Sequence, residues 1–164
     1  MLRLLLKLLV YVCGAICCAL LMLSGFGPML ITNEPITGYV MLMHVGVAGF
    51  FSVCVALFAL FSSTRYIFTK PDQLLLRYML LGNNDSRITA STSSGFWMKI
   101  CYWLMLIVAL PLMLSIALSM FPLFGPEGQE TLRYLHIYSA FLMTLMIVCY
   151  TFTSMVYQFK RFNS

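Results

Sequence analysis

Histidine occurs only twice in this sequence of 164 residues, and charge is scarce: ten Lys and Arg and five Asp and Glu together make up 9%. Soluble domains average about 25% charged residues. With 62% hydrophobic residues and a mean hydropathy of +0.94, the chain reads as an integral membrane protein without a separate soluble domain. The apolar spans contain no carboxylate, and no Ser/His/Asp set or phosphate-binding loop is present, so no bond-making site of its own is expected. A formal charge of +5 raises the idea of nucleic acid, but the charges cluster in membrane-flanking segments, and no nucleic-acid partner is expected. The six cysteines, Cys13, Cys17, Cys18, Cys54, Cys101 and Cys149, all fall within or at the ends of apolar spans. None lies in a polar loop, so they read as small polarizable packing residues rather than a disulfide framework.

What the chain does have is length of apolar sequence. Four segments can cross about 30 Å of hydrocarbon at about 1.5 Å per residue. They run from about Leu6 to Leu23, Gly38 to Phe61, Met98 to Phe121 and Leu132 to Tyr157. The start, MLRLLLKLLVYVCGAICCALLML, has the basic end of a signal peptide, but its apolar run is too long and lacks a small-residue cleavage site. It is therefore expected to stay as the first membrane helix. Turn-formers fill the first connection, SGFGPMLITNEPIT, and the third, PLFGPEGQE. Pro111 is expected to kink the third helix. In the long second connection, residues 62–97, KPDQLLLRYMLLG predicts a short interfacial helix and NNDSRITASTSSG a polar loop.

Lysine and arginine set the orientation. Arg3, Lys7, Arg65, Lys70, Arg77, Arg87, Lys99, Lys160 and Arg161 fall on one side, and only Arg133 on the other, beside Glu34, Glu127 and Glu130. The expected fold is all-α: an integral membrane four-helix bundle, one domain over 1–164, with both termini and the 62–97 loop cytoplasmic. The implied location is a bacterial inner membrane, crossed several times.

An ionisable residue inside a membrane segment is a functional-site candidate by default. His44 lies six residues past Gly38 and His136 four past Leu132, on helices expected to run in the same direction. Both fall about 6–9 Å below the outer helix ends. Two imidazoles at one level are what bis-histidine haem ligation needs, so His44 and His136 are the candidate iron ligands. Gly46, Ala48 and Gly49 near His44, with Ser139 and Ala140 after His136, leave room for a flat macrocycle, and equally permit close helix packing. Arg133, one turn before His136, serves either as a partner for haem propionates or as a snorkelling interfacial anchor.

Lys99-Ile100-Cys101-Tyr102-Trp103 at the start of the third helix, Ser24-Gly25 closing the first, and Leu135-His136-x-x-Ser139-Ala140 opening the fourth carry a resemblance. Over its four-helix span the chain resembles the cytochrome b subunits of membrane-bound formate dehydrogenases and nickel–iron hydrogenases. A second resemblance is to cytochrome b of the quinol:cytochrome c reductases, which shares that family's four-helix, two-haem logic. The resemblance implies haem b, with His44 and His136 at the outer-haem positions. It also implies a second haem, but the matching positions hold Tyr150 and, on helix one, Val12 or Cys13. One haem is therefore expected. Electrons would pass between it and quinone, or a partner's redox centre, on the outer side. The expected partners are other subunits of a membrane redox complex, with a periplasmic catalytic, iron–sulfur or cytochrome c component, and the lipid bilayer.

Other classes compete. A haem-free structural anchor derived from such a cytochrome follows if the second set of ligands has also lost its cofactor. A quinone-coupled thiol oxidase needs redox cysteines in outer loops, and the outer connections contain none. A transporter would show charges or broken helices mid-span, and only Pro111 suggests a break.

Overall fold

In the computed structural model of the protein, residues 2–31, 36–81, 94–121 and 124–162 are described. Among them every regular element is helical: α1 (Leu2–Ile31), α2 (Gly38–Ser62), a 3-10 turn (Ser63–Tyr66), α3 (Lys70–Leu81), α4 (Ser94–Ser119) and α5 (Pro126–Phe162). Four of these, α1, α2, α4 and α5, are long and apolar enough to cross a membrane, as the hydropathy of the sequence predicts. The chain forms two compact units, Met1–Thr64 and Arg65–Ser164.

In the first unit α1 packs along α2. The helix does not stop at Leu23 but continues through Ser24, Gly25, Gly27 and Pro28 to Ile31. Unpaired backbone groups are costly in hydrocarbon, so glycine and proline that would break a soluble helix are carried within a membrane one. The Ser24 hydroxyl donates back to the Leu20 carbonyl at 2.7 Å and approaches that of Leu21 at 3.3 Å. At the far end of the hairpin, the Tyr11 hydroxyl meets the Ser62 hydroxyl at 3.0 Å, and the Tyr11 ring stands edge-on to Phe58. Helix α2 begins on Gly38, whose φ of +59° is a left-handed conformation that only glycine adopts without strain.

In the second unit α4 packs along α5, with Tyr102, Phe96 and Ser115 fully buried. Helix α4 runs unbroken through Pro111. Helix α5 starts at Pro126 rather than Leu132, because a helix start is not an apolar signal. Proline suits the first helical turn and Glu127 the positive end of the helix dipole. Gly128 lies so close to Phe124 that a Cβ there would come within 2.7 Å of the Phe124 Cβ.

The interfacial-helix motif does form a helix, α3, and the reason for its start is visible. Asp72, on the third residue of α3, accepts from the Thr69 backbone N–H at 2.8 Å and the Thr69 hydroxyl at 2.6 Å, a capping-box contact. Lys99 of α4 also donates to Asp72, which ties α3 to the base of α4. Burial alone would raise the Asp72 carboxyl. The hydrogen bonds from Lys99 and Thr69 and the Lys99 charge outweigh it and hold the carboxyl below its ordinary range. Nearby, Tyr66 stacks on Tyr102 with ring centroids 4.3 Å apart, and its carbonyl accepts from Trp103 Nε1 at 3.0 Å. The polar loop expected after α3 lies outside the described residues.

Candidate functional site

The two histidines sit in different units, and each is engaged by the helix that precedes it. On α2, His44 Nδ1 lies 2.8 Å from Ser24 Oγ of α1. The ring passes over Gly25, where a Cβ would come within 3.2 Å of His44 Cε1. Glycine at 25 is therefore what admits the imidazole against α1. On α5, His136 Nδ1 lies 3.3 Å from Ser115 Oγ of α4, and the ring also makes a hydrogen bond to the Leu112 backbone. The Ser115 hydroxyl donates to the Leu112 carbonyl at 2.8 Å. Both rings are half-buried.

These contacts share one plan. In each hairpin a serine on the first helix bonds its own helix backbone and faces a histidine on the second, at sequence separations of 20 and 21. Ser24 and Ser115 are themselves buried. In the sequence Ser24 stands out only as part of a Ser-Gly motif, and Ser115 not at all. The available signal was a serine in each preceding apolar span at a matching distance from the histidine.

The expectation of equal depth changes with the observed helix ends. His44 is still six residues into its helix, but His136 is ten residues past Pro126. The expected depths count from Leu132, where the apolar stretch begins, and not from the helix start. Arg133 is an exposed residue of α5. It lies 3.9 Å from Glu130, with both side chains more than half exposed, and its guanidinium sits 5.0 Å from the Tyr134 ring centroid. An ion pair so open to its surroundings contributes little. Among the described residues nothing lies within 4 Å of where a Cβ at Gly46 or Gly49 would stand.

Tyr150, which stands where the resembling family has a second ligand, shares a hydrogen bond of 2.7 Å with the Tyr66 hydroxyl. Among the described residues no group of three or more His, Cys, Asp or Glu side chains is arranged to hold a metal ion. All six cysteines are free thiols. Protein-family models, curated proteins and solved structures return no match to this chain.

By chemistry alone, two imidazoles are the donors that a haem iron would need beyond the four nitrogens of its macrocycle, and the sequence has two. Each imidazole also has an oriented Nδ1, the arrangement typical of metal-bound histidine.

Proposed function

We propose that the protein is a haem b-carrying membrane anchor and electron-transfer subunit of a larger respiratory or redox complex. His44 and His136 would hold one haem near the outer face of a bacterial inner membrane, and both termini are cytoplasmic. The observation that supports this best is that the only two histidines lie in membrane-length helices, each with Nδ1 bonded to a buried serine. A haem held this way supplies reversible one-electron exchange at iron. The protein's share is to orient the rings, bury them in apolar surroundings and exclude water. Arg133, three residues before His136, would pair with a propionate.

Electrons then pass between this haem and quinone, or a partner's redox centre, on the outer side. Reconstituted transfer from an external donor to the inner face through this chain alone would contradict that route. The purified chain, expressed with haem supplied, is expected to show a reduced α-band at the b-type position. His44→Ala or His136→Ala each removes it while the chain remains inserted. Full haem retention in either variant ends the ligand assignment.

A second reading is a haem-free structural anchor. It is favoured by the same hydrogen bonds, because a histidine that bonds a neighbouring helix also serves as interhelical glue. Absence of any haem spectrum from haem-supplemented membranes selects it.

A further inference from the structure

We propose that Ser24 and Ser115 are positioning residues that hold His44 and His136 as their Nδ1–H tautomers, so that in each hairpin Nε2 carries the lone pair toward a metal centre. The proposal rests on the ligand reading above and adds which atom binds and what selects it.

A serine hydroxyl has one proton and can also accept. In Ser24 that proton lies toward the Leu20 carbonyl, 2.7 Å away. Two oxygens at that distance need a proton between them, and a carbonyl has none to give. The Ser24 oxygen therefore meets His44 Nδ1, at 2.8 Å, as an acceptor, and Nδ1 must carry the hydrogen. The same sequence applies to Ser115, whose proton goes to the Leu112 carbonyl at 2.8 Å while its oxygen faces His136 Nδ1 at 3.3 Å. In a neutral imidazole with Nδ1 protonated, Nε2 is the basic nitrogen. Gly25 adds a steric part at the first hairpin, since it lets the ring edge lie flat against α1.

The device is built twice, on separate helix pairs, from the same three parts: a backbone carbonyl, a serine hydroxyl and a histidine ring. One such contact is ordinary helix packing. Its use at both histidines of the chain, with the same nitrogen engaged, points to a common requirement for Nε2.

Because there are only two histidines, the full chain labelled with 15N-histidine and held in lipid nanodiscs without haem gives four ring-nitrogen signals. Correlation of these with the ring protons reports each tautomer directly. Both rings are expected as Nδ1–H. Ser24→Ala should move only His44 toward the Nε2–H form; Ser115→Ala should move only His136, and by less, because that ring keeps its bond to the Leu112 backbone. Ser24→Thr and Ser115→Thr, which keep the hydroxyl, should restore the original pattern. In haem titrations of the same variants, each alanine should weaken retention by about 10–100-fold, the range for removing a partner behind a metal-bound histidine. Either ring found as Nε2–H in the unsubstituted chain overturns the proposal, as do alanine variants with unchanged tautomers. The unsubstituted spectrum decides even if an alanine variant fails to fold. Nδ1–H rings in a chain that takes up no haem would sink the ligand reading and leave the tautomer assignment standing.

Discussion

At the scale of single residues, the contact between Gly25 and His44 makes the sharpest steric claim. A Cβ at position 25 already presses on the imidazole edge at 3.2 Å, and a branched side chain there adds two more carbons. Gly25→Val should displace the ring from Ser24 and lower the haem bound per chain, while α1, which tolerates valine in an apolar span, still inserts. Haem content read beside a membrane-insertion assay checks this. Undiminished haem would mean that the ring is not held against α1. Glycine was legible in the sequence as part of a Ser-Gly motif. Its purpose was not, because nothing in a one-dimensional pattern says which side chain from another helix crosses a given glycine.

Among the elements, α3 depends on one buried carboxylate. Asp72 is 7% exposed and satisfies the Thr69 backbone, the Thr69 hydroxyl and Lys99 together. Removing the charge by Asp72→Asn, or its partner by Lys99→Met, should loosen α3 at a cost of about 1.5–3 kcal/mol, the range for hydrogen bonds to a charged group. Hydrogen exchange along α3 would register it as lost protection with α5 unaffected. The pH dependence follows from the lowered Asp72 value. A carboxyl whose folded pKa is depressed adds stability above its unfolded value, about 3.9, and that contribution is lost as pH falls through the folded value. Protection of α3 should therefore persist from pH 7 to about 4 and fade below it. Loss of protection nearer neutrality would mean that another group controls the docking.

The same elements show how far the sequence could be read. Apolar length announced all four spanning helices, and proline, leucines and glycine announced α3. Helix ends were the weak point, in both directions. Turn-formers at Ser24, Gly25 and Pro28 suggested an early stop that the apolar setting overrides, and the polar run from Pro126 to Arg133 concealed a helix start made by proline and an acidic first turn. Both errors have one source, since hydropathy reports where lipid lies and capping reports where a helix begins. The histidines were legible as candidates because ionisable groups are rare in such spans. Their serine partners were not, since serine is unremarkable in membrane helices and only the helix pairing brings it opposite an imidazole.

For the molecule as a whole, the count of histidines limits the stoichiometry. Helix α5 exposes Tyr138, Phe141, Phe152, Met155 and Phe159 along its length, a surface that suits hydrocarbon and carries no imidazole. Tyr150, fourteen residues beyond His136 on that helix, has its hydroxyl bonded to Tyr66. Two bis-histidine haems need four imidazoles, and the chain has two. Quantified haem against quantified polypeptide should therefore give one haem per chain. A value near two would require iron to be held by tyrosine, cysteine or methionine and would break the link drawn between histidine and haem. A value near one-half has a different meaning: equivalent histidines from two copies would be meeting at one iron. The substitutions separate the cases, because a haem held by two His44 rings survives His136→Ala, and one held by two His136 rings survives His44→Ala. Only a haem clamped by one of each is lost in both.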